Sequence, residues 1–240
     1  MNPLVLLPGL GCDTSQFRFL AGAFSGGFDV RALELPGHHG APAVAGRASL
    51  DAVAEEVATR VPAGSVLVGH STGGIVGLVI AARHPSLVER LVLLDSNVPV
   101  TPEALARKVA RAGDVRGPSW RTVLEESMRS SWGPRRPQLR EEVVAGILAT
   151  PEAALRPLWF DVLTLDPRPL LAALRVPALH VRSSRDVDAA ALHALNPGVG
   201  SVDLRELSPG HWPHLTEPDA VVSAVRRWVP TWPAPASPRC

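Results

Sequence analysis

The chain has 240 residues, of which 46% are hydrophobic, so it is long enough for one α/β domain with an insertion and a sizeable core. A net charge of +1 provides no strong field toward nucleic acid or an anionic membrane, and we expect neither as a partner. Two cysteines at opposite ends, Cys12 and Cys240, make neither a disulfide framework nor a zinc site. No cluster has metal-ligand spacing and no phosphate loop follows a strand, so no cofactor is expected.

Apolar runs that end at turn residues alternate with helical patterns along the first part of the chain. Strands are predicted at 3–9, 28–37, 65–71 and 88–96, and helices at 49–61 and 72–85. After residue 96 the rhythm changes to several helical patterns without a convincing strand, each opening near Ser, Thr or Pro. Strands return at 176–184 and 201–210, and a helix at 217–229 closes the pattern.

This alternation predicts an α/β fold with a mostly parallel, doubly wound sheet covered on both faces. The all-helical block is expected to lie as a lid over the strand ends, where such sheets bind ligands. The predicted organisation is an α/β core of residues 1–96 and 173–230, a helical lid of residues 97–172, and a loose Pro-rich tail of residues 231–240.

Ser71 lies at a cramped junction between a predicted strand and a predicted helix, in Gly-His-Ser-Thr-Gly. A strand that turns at once into a helix forces unfavourable backbone angles on the residue at the apex. Neighbours two positions away must then be small, and Gly69 and Gly73 satisfy this requirement. The pattern is that of a nucleophile elbow, which lifts a serine hydroxyl into a cleft at a helix N-terminus.

A serine hydroxyl needs a base, and the base needs an acid that holds its tautomer. His211 follows the last predicted strand and is the leading base, with His214 as its rival. Asp186 follows the preceding strand and is the leading acid. Asp188, two residues on, and Asp95, which ends another strand, are the alternatives to Asp186.

These pieces resemble the lidded α/β-hydrolase fold family over roughly residues 3 to 230. The resemblance is carried by LLPGLG, LPGHHG, GHSTGG, a strand ending in SRD, and GHWPHLTEP. It implies an oxyanion hole made by the backbone N–H groups of Leu10 and Thr72. Pro8 replaces the family's usual loop histidine. Family members commonly have one or two antiparallel strands before the oxyanion loop, which this chain does not show, so we expect a trimmed sheet of about six strands.

Aromatic residues of the lid are candidates for an apolar substrate pocket, because a lid must face a cleft. We select Trp132 and Trp159 from the lid and Trp212 beside the candidate base. His70 is expected to pack within the elbow, and His38 and His39 to be loop residues.

The predicted function is that of a serine hydrolase cleaving an ester, lactone or thioester of a small, largely apolar molecule through an acyl-enzyme. A thioesterase for carrier-bound or coenzyme-bound acyl groups is the nearest alternative. A lyase, cyclase or perhydrolase on the same fold, or a binding protein that retains the triad, are the others. With no secretory signal or spanning segment visible, the expectation is a cytoplasmic monomer or small homo-oligomer.

Overall fold

Six parallel strands form one sheet in the structure, a computed structural model that describes residues 1–229. They are β1 (Asn2–Leu7), β2 (Phe28–Ala32), β3 (Ser65–His70), β4 (Val88–Leu94), β5 (Ala178–Arg182) and β6 (Val199–Asp203). The order across the sheet is β2-β1-β3-β4-β5-β6, and every neighbouring pair is parallel. The predicted α/β fold with a sheet of about six strands is confirmed.

Twelve α-helices connect and cover these strands within residues 1–229. They are α1 (Arg18–Phe24), α2 (Leu50–Ala58), α3 (Thr72–Arg83), α4 (Pro102–Ala110), α5 (Ala112–Arg116), α6 (Trp120–Ser131), α7 (Pro137–Ala149), α8 (Glu152–Thr164), α9 (Arg168–Ala173), α10 (Ala189–Leu195), α11 (Pro213–Thr216) and α12 (Pro218–Trp228). Sequence periodicity missed the short helices α1, α5, α9, α10 and α11.

Both faces of the sheet are buried, which explains why the central strands are apolar at successive positions. Alternate side chains of each strand enter different cores. One core contains Val5, Leu7, Leu67, Leu91 and Leu93, together with side chains from α2 and α3. The other contains Leu4, Leu6, Val66, Val68, Val92 and Leu94, together with side chains from α1 and α12. The central strand β3 is therefore buried at all six of its residues.

The helices α4 to α9 follow β4 and precede β5, and we call this segment, Pro102–Ala173, the helical insertion. Its helix α8 packs against α2 and α3, and α9 packs against α3. Asp161 of α8 fixes this contact, because it forms an ion pair with Arg47 and accepts a hydrogen bond from the backbone N–H of Leu50 at 3.0 Å. Side chains of α6 and α8 also line a cavity together with Ser71 and with Thr72 at the start of α3. The tail predicted at residues 231–240 lies outside the described residues.

No helix within residues 1–229 has both the length and the apolar character that crossing a membrane requires.

Candidate active site

Ser71 occupies the single residue between the end of β3 and the start of α3. Its backbone angles are φ 51° and ψ −117°, a region that residues with a Cβ rarely adopt. Two hydrogen bonds hold this conformation: the Ser71 N–H donates to the Leu94 carbonyl at 2.9 Å, and the Ser96 hydroxyl donates to the Ser71 carbonyl at 2.9 Å. The strained turn predicted from the sequence is present, and it directs the Ser71 side chain toward the cleft.

The elbow is as crowded as the glycine pattern predicted. A Cβ added to Gly73 would lie 2.2 Å from the Leu7 carbonyl oxygen, and one added to Gly69 would lie 2.4 Å from the backbone nitrogen of Gly74. Both contacts are with backbone atoms, which cannot rotate away as a side chain can. Glycine at these positions is therefore required by the close approach of β1 and α3 to the turn.

Gly73→Ala is expected to destabilise the fold by about 2 to 3 kcal/mol, since the added methyl group overpacks a rigid site. Gly22→Ala is the matched control, because Gly22 lies in α1 and a Cβ there meets no atom within 4 Å. The control is expected to gain about 0.5 to 1 kcal/mol from the helix preference of alanine. Denaturant unfolding of both variants measures the difference. Equal stabilities would contradict the packing described for the elbow.

His211 connects Ser71 to a carboxylate. Its Nε2 lies 2.9 Å from the Ser71 Oγ, and its Nδ1 lies 2.6 Å from the Asp95 Oδ2. With the ring proton on Nδ1, His211 donates to Asp95 and its Nε2 accepts from the Ser71 hydroxyl. The ring is only 2% exposed, and the Asp95 side chain is fully buried. These three side chains have the hydrogen-bond connectivity of a serine–histidine–acid triad.

The loop that carries His211 is held by the helical insertion and by the elbow. The His211 N–H donates to the Ser131 carbonyl at 2.8 Å, and the His70 Nε2 lies 2.7 Å from the His211 carbonyl oxygen. A Cβ on Gly210 would lie 1.8 Å from the Trp132 carbonyl oxygen, so the end of α6 passes directly over the loop. The position of the imidazole thus depends on the insertion as well as on the sheet.

The acid beside His211 is Asp95, which corrects the expectation that Asp186 occupies this place. Asp95 follows β4, the strand next to β3 in the sheet, whereas Asp186 follows β5, one strand further away. The Asp186 side chain is exposed and shares a surface cavity with Arg182 and Arg205. The chain order Ser, Asp, His is kept, with the acid after β4 instead of after β5.

The loop after β5 still serves the site, but through its backbone. The N–H groups of Ser183, Ser184 and Arg185 donate to the Asp95 Oδ1 at 2.7, 2.8 and 3.0 Å, and the Ser184 hydroxyl donates to Oδ2 at 2.5 Å. Burial by itself would raise the pKa of Asp95. The hydrogen bond from His211, the charges of His211 and Arg185, and the Ser184 hydroxyl outweigh it and lower the pKa of Asp95 well below its usual value. Asp95 is therefore a carboxylate at neutral pH.

The pKa of His211 is lowered from its ordinary value of 6.5. Burial is the largest cause, and the nearby positive charge of Arg185 adds to it, while Asp95 opposes both. An Arg185 guanidinium nitrogen lies 3.4 Å from the His211 Nε2. The imidazole is consequently neutral at pH 7, the form that can accept a proton from serine.

The loop after β1 lies against the elbow, at the position of the expected oxyanion hole. A Cβ on Gly9 would lie 3.4 Å from the Ser71 Cβ, and Leu10 and Thr72 line one cavity with Ser71. Thr72 is the first residue of α3, so its N–H has no acceptor within the helix. His39 holds the same loop, because its Nε2 lies 2.8 Å from the Gly11 carbonyl oxygen. His39 thus has a structural contact that the sequence did not reveal.

The cavity beside Ser71 is narrow, at about 50 Å³, and its walls come from the core and from the helical insertion. It is lined by Leu10, Ser71, Thr72, Ile75, Asn97, Arg111, Ser127, Met128, Trp159, Val162, Leu163 and Arg185. Sites for drug-sized ligands measure about 300 to 1,000 Å³. Side chains of the insertion must therefore move before a substrate of that size enters.

Of the three tryptophans predicted to bind substrate, Trp159 lines this cavity and the other two do not. Trp132 and Trp212 pack against each other with ring centroids 5.0 Å apart, and both are 1% exposed. The Trp132 indole N–H donates to the Arg135 carbonyl at 2.6 Å. Trp212 lies 4.9 Å from the His211 ring. The two rings pack against the loop that carries His211 and do not line the cavity, which corrects their assignment as pocket residues.

The comparisons with known proteins agree with this architecture. Residues 4–224 match the model of the alpha/beta hydrolase family. The chain belongs to that family.

Two curated relatives are both pimeloyl-[acyl-carrier protein] methyl ester esterases. The protein of Aromatoleum aromaticum is 38% identical, over 39% of this chain and 37% of its own length. The protein of Neisseria meningitidis serogroup C is 36% identical, over 44% of this chain and 43% of its own length. Each alignment thus spans less than half of the relative. Among solved structures, the enol-lactonase of Burkholderia xenovorans superposes with a TM-score of 0.76 at 22% identity, covering 95% of this chain and 91% of that one.

Within this α/β hydrolase, the rival base His214 lies away from the serine. Its ring is fully buried, stacks on Phe17 with centroids 5.0 Å apart, and contacts the tilted ring of His70 at 4.5 Å. Burial, with a smaller contribution from the charge of His211, lowers the pKa of His214 to about 3. His214 is therefore a neutral packing residue, as is His70 beside the elbow.

Sequence reasoning missed the polar residues that surround Ser71 in this hydrolase. Asn97 follows the strand that carries Asp95, and Arg111 and Ser127 come from the insertion. Arg185 directly precedes Asp186 in the SRD motif, in which only the carboxylate was assigned a role. A cation next to the expected acid was the available signal.

Proposed function

We propose that the chain is a carboxylic ester hydrolase that works through an acyl-enzyme on Ser71. The observation that carries the proposal is the continuous hydrogen-bond path from the Ser71 Oγ through His211 to Asp95, with distances of 2.9 and 2.6 Å. Family membership and the methyl ester esterases among the relatives support ester bonds as the target. Asp95, rather than Asp186, is the proposed acid.

Acylation begins when the Ser71 Oγ attacks the ester carbonyl and the His211 Nε2 takes the hydroxyl proton. The negative Asp95 carboxylate stabilises the resulting imidazolium, whose Nδ1–H it already accepts. The oxyanion is proposed to be held by the N–H groups of Leu10 and Thr72, and such donors are each worth about 3 kcal/mol. His211 then gives its proton to the departing alkoxide, leaving an acyl group on Ser71.

Deacylation repeats these roles with water. His211 takes a proton from a water molecule that attacks the acyl carbonyl, and it returns that proton to the Ser71 oxygen as the acid product leaves. The helical insertion is proposed to act as a lid during this cycle, because it supplies one wall of the cavity and a hydrogen bond to the His211 loop. Apolar side chains from that wall, such as Met128, Trp159 and Val162, favour a largely apolar acyl group.

A panel of acyl esters tests the proposal, with methyl esters and p-nitrophenyl esters of graded chain length and pantetheine thioesters in parallel. We expect ester hydrolysis together with labelling of Ser71 by a fluorophosphonate. A thioester preference would identify a thioesterase on the same site. Products other than an acid and an alcohol would indicate non-hydrolytic chemistry, and failure of Ser71 to react with the fluorophosphonate would refute the acyl-enzyme.

The pH dependence follows from the lowered pKa of His211. Only neutral His211 accepts the serine proton, so kcat/KM falls as pH drops through this pKa and is constant above it. We expect the midpoint of the acid limb below about pH 6.5, the ordinary value for histidine. Hydrolysis of an uncharged ester from about pH 4 to 9 measures it, with folding checked by circular dichroism. A midpoint above 7 would contradict a buried imidazole beside a cation.

A further inference from the structure

The cavity beside Ser71 has a positively charged side within an otherwise mainly apolar wall. Arg185, from the loop after β5, lines it near the reacting groups, and Arg111, from the insertion, lines it further out. Arg111 is exposed and donates to the Ser127 hydroxyl at 2.8 Å. Both arginines therefore face the space that a substrate must enter. A neutral, apolar substrate would give them nothing to bind.

The donors of Arg185 are largely unused. Its Nε is enclosed, and no residue within 1–229 accepts a hydrogen bond from it. Its remaining contact is the approach of one terminal nitrogen to the His211 Nε2 at 3.4 Å, which is long for a hydrogen bond. A guanidinium offers five N–H donors in a planar fork that matches a carboxylate. Arg185 thus lines the cavity with N–H donors that have no strong hydrogen-bond acceptor among the described residues.

The charge of Arg185 is also incompletely balanced. Asp95 is the carboxylate whose charge acts on it most, but no described carboxylate lies within ion-pair distance of the Arg185 guanidinium. The Asp95 oxygens are already occupied by His211 and by donors of the 183–185 loop. Burial lowers the pKa of Arg185, and the charge of Arg111 acts in the same direction. The partly buried guanidinium thus has no ion-pair partner among the described residues, and an anionic group in the cavity could pair with it.

A third cation strengthens the positive field. Lys108 of α4 is only 4% exposed and donates to the Leu165 carbonyl at 2.9 Å. Burial lowers the pKa of Lys108 to about 8; the charge of Asp166 opposes this shift, and the positive charge of Arg185 adds to it. Asp166 is itself paired with Arg168 at 2.7 Å. Two arginines, Arg111 and Arg185, and no carboxylate line the cavity itself.

We propose that the substrate carries a carboxylate group, bound by Arg185 with assistance from Arg111, so that the enzyme hydrolyses half-esters of short dicarboxylic acids. This inference rests on the ester hydrolase activity proposed above. The guanidinium lies 3.4 Å from the His211 Nε2, which lies 2.9 Å from the Ser71 Oγ. A carboxylate on the fork is consequently only a few carbon atoms from the ester carbonyl under attack.

The test compares two esters that differ in charge alone, monomethyl glutarate and the methyl ester of glutaramic acid. For the wild-type enzyme we expect kcat/KM to favour the carboxylate by roughly 10- to 100-fold, since charged hydrogen bonds contribute about 1.5 to 3 kcal/mol. Arg185→Gln is expected to abolish this preference, Arg185→Lys to retain part of it, and Arg111→Gln to reduce it less. Arg140→Gln, which removes an exposed lid arginine paired with Glu141, is the control and should leave the preference unchanged.

Binding provides a second measurement that does not depend on a folded Arg185 variant. Glutarate is expected to inhibit wild-type hydrolysis of a neutral ester competitively, and glutaramide is expected to inhibit at least about tenfold less. Equal use of both methyl esters together with equal inhibition by glutarate and glutaramide would overturn the carboxylate site while leaving the esterase proposal intact. Loss of the preference in the Arg140 control would also overturn it. Failure to hydrolyse any ester, charged or neutral, would instead refute the proposed activity itself.

Discussion

Replacing Ser71 with alanine is expected to lower ester turnover by on the order of a millionfold. The Ser71 Oγ is the atom that lies 2.9 Å from the His211 Nε2, and no other hydroxyl occupies that position among the described residues. Alanine keeps the Cβ and is subject to the same backbone geometry, so the elbow itself is retained. Steady-state hydrolysis of a neutral ester measures the loss, with the remaining rate compared with that of buffer alone.

Labelling makes this experiment decisive. A fluorophosphonate should modify the wild-type protein at Ser71 and leave the Ser71→Ala protein unmodified, while both proteins unfold at similar temperatures. Ser201→Ala is a control that should react and turn over like the wild type, because Ser201 is an exposed residue of β6 that does not line the cavity. Turnover by Ser71→Ala close to that of the wild type would remove the acyl-enzyme from the mechanism.

Asp95→Asn is expected to lower kcat by about 10⁴, whereas Asp186→Asn should change it by no more than about twofold. Asparagine has the shape of Asp95 but lacks its charge, and its amide would present N–H groups to His211 where a carboxylate now accepts. The imidazole would then take the wrong tautomer or lose the charge that stabilises its protonated form. Asp186, exposed beside Arg182 and Arg205, has no contact with the ring.

The paired measurement separates catalysis from folding. Asp95 also accepts three backbone hydrogen bonds from the loop after β5, so Asp95→Asn should lose about 1 to 3 kcal/mol of stability as well. Thermal unfolding records that loss, and kcat is compared at a temperature where both variants are folded. The opposite pattern, with Asp186→Asn inactive and Asp95→Asn active, would show that the loop after β5 rearranges to supply the acid.

The position of the acid also bears on the proposed substrate. The loop after β5 donates backbone N–H groups to Asp95 and does not supply a carboxylate to His211. A side chain of that loop can therefore have another role. That side chain is Arg185, which reaches the His211 Nε2 and the cavity. Placing the acid on β4 thus leaves room for a cation beside the reacting groups. The same arrangement lowers the pKa of His211, so one residue links pH dependence with substrate charge.

Local rules in the sequence determined the elements and the elbow. Apolar runs ended by turn residues predicted all six strands, because parallel strands that are buried on both faces are apolar at successive positions. Gly69, Ser71 and Gly73 predicted the strained turn, because backbone atoms of neighbouring elements leave no space for a Cβ there. The loop histidine His211 was found in the same way, from its place after the last strand.

Only the tertiary structure decided which residues meet around that serine. Strand order puts β4 beside β3, and this brings Asp95 to His211 while Asp186 remains at the surface. The packing of the insertion decided that Trp159 faces the cavity while Trp132 supports the histidine loop. The physical reason is that hydrogen bonds and charge act over a few ångströms in space. Positions in the sequence do not give these distances, which are set only when the strands assemble into the sheet.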